Sequence, residues 1–438
     1  MFGIYEVFTP YLFACDPEIV RDVLVKEFDY FSERRNFKFA EEINFLNEMV
    51  SIVNGSKWKR LRSTMSPTFS SGKLKIMFPL VQKQAKNFLS FCEKEYDSKK
   101  SIDMKDAFGR YTMDVIASTA FAIDSNSLKN GNSVFVQKVG KVFDTSLVAN
   151  VMMTLFLVAP KIASVFGKFF SLLNVENPWV FLKEVATETI KARRKTDSGK
   201  HGDFLDLMLE EQSKQKDKFD PERDYEITDA TIMAECALFL VAGYDTTANT
   251  LSFSGYHLAR NTECLNILRE ELSDIRNEDG SFDYHNLMEA KYLDACINEA
   301  LRLNPPGPVL ERKCTKSFNI KGTNFNIPEN MMVGIPIWGI HRDPDYWVDP
   351  ESFNPERFLP ENKDNIVPFS YMPFGLGPRN CLAMRFALME VKICLAELVM
   401  NYDFQLKAGH EEVLLCNGGG IVKPRENSLL FEIKRIAN

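Results

Sequence analysis

The chain has 438 residues, of which 45% are hydrophobic, so it is long enough to bury a large core. The net charge of −7 and the pI near 5.5 argue against a nucleic-acid partner. Nine cysteines without a C-x-x-C pair are typical of reduced thiols facing the cytosol rather than of a secreted disulfide framework. No clean run of twenty apolar residues predicts a membrane-spanning helix, and no signal-like segment opens the chain.

The beginning of the chain predicts a small β region followed by helices. Residues 2–14 predict two short strands around Thr9-Pro10, and Asp16-Pro17-Glu18 has the N-cap, proline and acid that begin a helix. Farther along, Trp58 and Arg62 are four residues apart and share one helix face, where an indole N–H and a guanidinium can bind a carboxylate.

The surroundings of that helix are basic. A solvated helix face explains this equally well as a docking surface for an acidic electron donor, which we take as a hypothesis. The basic residues are Lys57, Lys59, Arg60, Lys73 and Lys75.

The middle of the chain predicts apolar helices over residues 104–122 and 146–173. The second segment is either packed core or a mobile pair of helices that covers a substrate channel and touches a membrane surface. The polar stretches 193–203 and 212–224 predict exposed loops.

Residues 231–260 predict the longest helix, which is apolar on all sides before Gly243 and therefore belongs in the protein interior. Its centre reads Ala242-Gly243-Tyr244-Asp245-Thr246-Thr247. A glycine inside a helix, with threonines that can bond to the preceding turn, permits a local widening for a small ligand. Asp245 followed by Thr246 can relay protons, although a helix with tolerated polar residues explains the pattern as well.

Residues 286–303 predict another helix, on which Glu299 and Arg302 lie three residues apart and can pair. Alternating strands with turns follow from Val309 to about Trp338. No repeat and no composition shift marks a boundary, so we expect one domain over residues 1–438.

A tightly bent loop, Phe374-Gly375-Leu376-Gly377-Pro378-Arg379-Asn380-Cys381, precedes a helix that continues to about Asn401. At such a junction, the helix N–H groups and Arg379 favour a thiolate at Cys381. A thiolate held in this way is suited to ligating a haem iron, whereas a lone cysteine is more often merely buried.

The spacing Phe374-x-x-Gly377-x-Arg379-x-Cys381 resembles the haem-binding loop of the cytochrome P450 monooxygenases. Four other elements occur in the family's order: Trp58 with Arg62, Ala242–Thr247, Glu299 with Arg302, and Pro355-Glu356-Arg357-Phe358. The resemblance covers essentially the whole chain and is closest to the microsomal animal, xenobiotic-metabolising branch. Ala383 stands where the family usually has glycine, so we expect a small adjustment of packing against haem.

The resemblance implies a mainly α fold with a smaller β region, in which the central helix and the cysteine loop sandwich haem b. Cys381 would be the axial ligand of the iron, and Asp245 and Thr246 would deliver protons to bound dioxygen. Glu299, Arg302 and Arg357 would be structural, and Val309, Leu310 and Phe239 would line the substrate pocket. Residues that would contact the cofactor are Trp58, Arg62, Ala242, Arg312, Phe374, Arg379 and Cys381.

The implied activity is insertion of one oxygen atom into a lipophilic substrate, with electrons from an NADPH-dependent cytochrome reductase, because no nucleotide-binding glycine loop is visible. Microsomal members carry an N-terminal anchor in the endoplasmic reticulum and face the cytosol; we expect this chain to lack the anchor and the intact form to touch a membrane. Two alternatives remain: a haem-thiolate isomerase or peroxygenase on the same fold, and a non-enzymatic haem-binding protein.

Overall fold

The computed structural model describes residues 1–6, 9–37, 39, 41–98, 100–130, 133–143, 177–195, 202–216, 226–418 and 420–436. The predicted apolar segment 146–173 lies outside the described residues. The α-helices are Pro17–Arg21, Gly55–Met65, Ser71–Asp97, Met104–Phe121, Val134–Gly140, Pro178–Lys195, Phe204–Lys216, Asp229–Arg260, Thr262–Ile275, Tyr284–Glu289, Lys291–Leu303, Ile337–Ile340 and Met384–Asn401. Short 3-10 helices include Glu41–Glu48, Pro355–Phe358 and Gly377–Arg379.

The strands form small sheets at the edge of the helical body. They are β1 (Phe2–Glu6), β2 (Thr9–Phe13), β3 (Ile102–Asp103), β4 (Leu310–Lys313), β5 (Phe318–Asn319), β6 (Asn326–Ile327), β7 (Met332–Ile335), β8 (Tyr402–Leu406), β9 (Leu415–Gly418), β10 (Ile421–Pro424) and β11 (Leu430–Arg435). The largest sheet has the order β1-β2-β7-β4, with β2 and β7 parallel and the other pairs antiparallel. The predicted mainly α fold with a smaller β region is confirmed.

The helix Asp229–Arg260, called the central helix below, lies in the largest hydrophobic core. Thr228 begins it through a capping box with Thr231, in which each side chain bonds the other residue's backbone. It packs against Met104–Phe121, Pro178–Lys195, Lys291–Leu303 and Met384–Asn401. Its near-complete burial explains the apolar sequence that predicted it.

Several predicted boundaries are corrected. Pro10 lies inside β2, paired with Tyr5, rather than in a turn. The helix predicted over residues 286–303 is interrupted at Ala290, whose extended backbone separates two helices. Residues 193–195 and 212–216, predicted as loop, end the helices Pro178–Lys195 and Phe204–Lys216. The start at Asp16 is confirmed, since its carboxylate accepts the N–H groups of Glu18 and Ile19.

Candidate active site

A hydrogen bond joins the two ends of the cysteine loop, and the loop packs against a segment near the beginning of the chain. The Cys381 N–H donates to the Phe374 carbonyl at 2.8 Å, which ties the two ends of the loop together. Gly375 and Gly377 have φ of +69° and +70°, a conformation that favours glycine. A Cβ on Gly377 would lie 1.9 Å from the Leu24 carbonyl oxygen. Only glycine fits this position, so the loop's shape follows directly from its sequence.

Cys381 is solvent-accessible, yet its surroundings are densely packed. Burial raises the pKa of the Cys381 thiol, while a hydrogen bond from the Ala383 N–H and the charges of Arg62 and Arg34 oppose this shift. The sequence-based expectation that the thiolate is favoured is therefore wrong for the protein alone, because loss of solvation outweighs the favourable groups. A coordinated metal ion would deprotonate the thiol outright.

Four arginines gather beside this loop: Arg34, Arg62, Arg312 and Arg379. Arg62 donates to the carbonyl and side-chain oxygens of Asn380, both at 2.6 Å. Arg379 donates to the carbonyls of Ser32 and Val53, at 2.7 and 2.9 Å. Burial and the neighbouring guanidinium groups lower the pKa of Arg312 and of Arg379 to about 9. The cluster is strongly cationic, and carbonyl or amide oxygens alone receive the hydrogen bonds just described.

Arg312 has buried donor atoms that no acceptor among the described residues satisfies. It is 1% exposed, and it donates through Nη1 to the Glu311 carbonyl at 2.8 Å. Within the described residues, its Nε and Nη2 atoms, like Nη1 of Arg379, are buried without a hydrogen-bond acceptor. A buried guanidinium without acceptors is costly, and carboxylates are its best partners. Beside an accessible thiol, these donors fit a group that combines a thiolate-binding metal ion with carboxylates, as haem b does.

Trp58 lies beside the arginine cluster and stacks on one of its members. Its ring is 5% exposed and lies 4.3 Å from the Arg379 guanidinium, a cation–π contact. Phe28 packs on the same ring at 5.7 Å. Trp58 therefore orients Arg379, while Arg62 orients Asn380 beside the cysteine.

The central helix presents an open face opposite its buried one. Ala242 is exposed and Thr246 half-buried, one turn apart, and the Thr246 hydroxyl donates to the Ala242 carbonyl at 2.6 Å. Hydrogen bonding stays α-helical here, so the expected local widening is not observed. Gly243 serves close packing instead, because a Cβ there would lie 3.0 Å from the Ile116 side chain.

Asp245 points away from that open face. It is 1% exposed, and its Oδ1 atom forms an ion pair with Lys105 on the helix Met104–Phe121. The Oδ2 atom lies 3.7 Å from Nζ of Lys423 on β10 and has no hydrogen bond within the described part of the chain. The structure thus brings Asp245 together with two lysines and separates its carboxylate from the Thr246 hydroxyl.

The residues expected to face substrate occupy different environments. Phe239 is half-buried and stacks on Phe204 at 3.8 Å and on Phe69 at 5.7 Å between ring centroids. Leu310 is half-buried, 3.5 Å from where a Cβ on Gly375 would be, so it adjoins the cysteine loop. Val309 beside it is 41% exposed.

Glu299, Arg302 and Arg357 meet as expected from the resemblance. Glu299 and Arg302 are fully buried and form a bidentate pair at 2.7 and 2.8 Å. Arg357 Nε lies 3.3 Å from Glu299 Oε1, and Arg302 also donates to three backbone carbonyls. Each charged group of the cluster has a partner of opposite charge, and the cluster is richly hydrogen-bonded, as a structural element must be.

Sequence reasoning missed Arg34, Lys105 and Lys423. Arg34 donates to the Ser51 carbonyl at 3.1 Å, and its charge opposes the rise in the pKa of Cys381 and lowers the pKa of Arg312. The doublet Arg34-Arg35 among aromatic residues was an available signal. For the two lysines there was none, because their meeting with Asp245 depends on packing between distant segments.

Known proteins match the chain over nearly its whole length. The family model described as Cytochrome P450 matches residues 1–431. Cytochrome P450 3A27 of Oncorhynchus mykiss is 37% identical over 439 residues, which cover 99% of this chain and 83% of that protein. Cytochrome P450 3A30 of Fundulus heteroclitus is 38% identical (97% and 84% covered), and cytochrome P450 3A6 of Oryctolagus cuniculus is 36% identical (99% and 85% covered).

Proposed function

The chain belongs to the cytochrome P450 family and is a haem-thiolate monooxygenase with haem b as its cofactor, and we propose that Cys381 is the axial ligand of the iron. The observation that carries this proposal is the accessible thiol at the end of a closed loop, beside buried guanidinium N–H donors that have no acceptor in the described part of the chain. Haem held by a cysteine thiolate activates dioxygen so that one oxygen atom enters a lipophilic substrate.

We propose that the arginine cluster holds the carboxylates of the cofactor. Within the described residues, Arg312 and Arg379 each have at least one buried donor without an acceptor, and Arg62 adds charge beside the cysteine. Trp58 fixes the Arg379 guanidinium by stacking, and the exposed Ala242 and half-buried Phe374 would pack against the flat cofactor. Charge-assisted hydrogen bonds of this kind are about twice as strong as neutral ones.

We propose that Thr246 and Asp245 have different roles in proton delivery. The Thr246 hydroxyl lies on the open face, where it can hold a proton on Oγ1 for transfer to dioxygen. Asp245 pairs with Lys105 and lies 3.7 Å from Lys423, whose side chain is 16% exposed. Protons can therefore enter at Lys423 and pass through Oδ2 of Asp245 toward the helix.

The pocket would take an apolar substrate. Phe239 and Leu310 supply half-buried apolar surface on the two sides of the site, and Val309 lies at its mouth. We assign Glu299, Arg302 and Arg357 to the scaffold that supports the loop. We also propose one catalytic domain over residues 1–438, supported by the parallel pairing of β2 near the beginning with β7 near residue 332.

The electron donor that we propose is NADPH-cytochrome reductase, which would approach the basic surface around Lys59. That lysine is exposed, whereas Arg60 is engaged with Glu211 at 2.5 Å. We expect Lys59→Glu to slow reduction by the reductase and the distant Lys434→Glu to leave it unchanged. Equal rates in stopped-flow reduction would contradict this docking surface.

We place the protein in the endoplasmic reticulum, as expected for this branch, and propose that it faces the cytosol. Among the described helices, none is long and apolar enough to cross a membrane. Partition of the protein to microsomes, with protease accessibility from the cytosolic side, tests the assignment.

The difference spectrum of the reduced protein with and without carbon monoxide tests the proposal. We expect the long-wavelength Soret band of a cysteinate-bound haem, its loss in Cys381→Ser and its retention in Cys15→Ser. A band that survives in Cys381→Ser would overturn the ligand assignment. Turnover of a fatty hydroperoxide without reductase would instead favour the peroxygenase alternative.

A further inference from the structure

The open face of the central helix ends at a buried acid. Glu235, Phe239, Ala242 and Thr246 follow the spacing of one helical stripe, so their side chains leave the helix in nearly the same direction. Phe239 and Thr246 are half-buried and Ala242 is exposed, but Glu235 is 0% exposed. At a rise of about 1.5 Å per residue, Glu235 lies roughly 10 Å along the helix from Ala242.

The Glu235 carboxyl group is only half satisfied. Its Oε1 atom accepts the Val50 N–H at 2.5 Å, and within the described residues its Oε2 atom has no hydrogen-bond partner. Burial and the neighbouring Glu48 raise the pKa of Glu235 to about 8. Glu48 itself pairs with Lys57 at 2.8 Å, so that lysine does not neutralise Glu235. Whether protonated or ionised, the group lacks a partner for one oxygen.

The segment over Glu235 spans the site from one side to the other. Val50 is bound by Glu235 of the central helix, whereas the Ser51 carbonyl is bound by Arg34 at 3.1 Å and the Val53 carbonyl by Arg379 at 2.9 Å. Residues 50–53 thus connect the central helix with the arginine cluster beside the cysteine loop. A ligand held between these two elements would meet this segment and the acid at its end.

From this geometry we propose that Glu235 determines substrate specificity by binding the protonated amino group of a lipophilic amine. The inference rests on the proposed function, because the ligand's apolar part would occupy the monooxygenase pocket. The cation would satisfy Oε2, and the oxidised carbon would lie about 10 Å away near Ala242, by the helix rise. Glu390 is a second buried acid, but it lies among helix residues such as Tyr111 and Cys394 rather than on the stripe of the central helix.

Binding of a cation requires Glu235 to be ionised. For a group whose pKa is about 8, the ionised fraction rises from about one tenth at about pH 7 to about nine tenths at about pH 9. The affinity for a permanently charged ligand should therefore rise by up to about tenfold over that range. The neighbouring charged groups are Glu48, which pairs with Lys57, and Lys183, which lies over the Phe45 ring. They shift the pH at which the affinity is half-maximal without removing the rise in affinity.

Two probes isolate this interaction: a 4-phenylbutyl chain that ends in trimethylammonium, and the same chain ending in a neutral tert-butyl group. Equilibrium dialysis of the haem-loaded protein gives the affinity ratio of the charged to the neutral probe. We expect Glu235→Gln, which keeps an acceptor for the Val50 N–H, to lower the ratio at about pH 8.5 by about tenfold or more. The control Glu390→Gln should leave it unchanged.

An unchanged ratio in Glu235→Gln, or an equal fall in Glu390→Gln, would overturn the inference. If Glu235→Gln does not fold, the wild-type pH profile decides, because a flat affinity for the charged probe between about pH 7 and 9 has the same meaning. The carbon monoxide spectrum separates the two levels of proposal. With a normal spectrum such failures refute only the role of Glu235, whereas a wild-type protein without the spectrum would refute the iron-ligand proposal beneath it.

Discussion

Two clusters of buried charged groups differ in how completely they are paired. Around Glu299, every charged group has a partner: Glu299 pairs with Arg302 and Arg357, and Arg302 also donates to three carbonyls. Around Cys381, four arginines gather and the donors of Arg312 remain partly unused within the described residues. A charged cluster whose groups are all paired within the protein stabilises the fold, whereas a cluster with unpaired donors is suited to binding a ligand.

The largest expected effect lies in the complete cluster. Glu299→Ala leaves Arg302 as an uncompensated buried cation, so we expect a loss of about 3–5 kcal/mol in the free energy of unfolding. Denaturant unfolding of the protein measures this loss. The control is Glu351→Ala, whose side chain is 73% exposed and pairs with Arg342 at 3.2 Å. It should cost less than about 1 kcal/mol, and equal costs would contradict the structural role of Glu299.

Glu235 extends the comparison to an acid with incomplete pairing. Its folded pKa of about 8 lies above the ordinary value of 4.5, so the native state binds the extra proton between these values. The contribution of this proton to the free energy of unfolding is fully present below about pH 4.5 and is lost as pH rises through about 8. The slope is at most about 1.4 kcal/mol per pH unit.

Unfolding of the wild type and of Glu235→Gln at several pH values checks that sign. Relative to the variant, the wild type should become less stable from about pH 5 to about pH 8. A difference that does not vary with pH would show that Glu235 does not titrate in this range.

Arg312 should strengthen haem binding without stabilising the haem-free protein. In Arg312→Met, haem affinity should fall by about tenfold or more, because charge-assisted hydrogen bonds contribute roughly 1.5–3 kcal/mol. The haem-free protein should be equally or more stable, since a buried cation beside Arg34 and Arg379 is removed. Haem transfer to apomyoglobin and unfolding of the haem-free protein measure the two effects. Arg302→Met should lower both quantities, and a parallel response of Arg312→Met would place Arg312 in the scaffold.

How far the sequence could predict these clusters depends on the range of the interactions. The cysteine loop was recognisable because Gly375 and Gly377 are required by backbone geometry that the sequence itself dictates. Glu299 with Arg302 lies within one helical turn, so its pairing was also visible. The direction of the Cys381 pKa shift was wrong, because desolvation depends on all the segments packed around the thiol.

The helix centre shows the same limit. The sequence could place Asp245 and Thr246 side by side, but not show that one faces lysines and the other the open site. Gly243 was interpreted as permitting a local widening, whereas the Ile116 side chain on another helix shows that glycine is needed for close packing. Contacts that join residues far apart in the chain are set by tertiary packing, which spacing alone does not encode.

The smallest expected effect concerns the two lysines that hold Asp245. Lys105 forms the close pair, whereas Lys423 lies 3.7 Å away with a more accessible side chain. Lys423→Met should therefore raise the peroxide released per NADPH by only about two- to fivefold, the range of a weak ion pair. Lys105→Met should raise it more, because Asp245 then lacks its main counter-charge. Peroxide release measured with a reductase and a lipophilic substrate compares the two variants, and Thr246→Ala, which removes the hydroxyl on the open face, sets the upper limit. If Lys423→Met uncoupled the reaction as strongly as Lys105→Met, the two lysines would share the charge of Asp245 equally, and the route of proton entry proposed through Lys423 would carry more of the flux than the distances indicate.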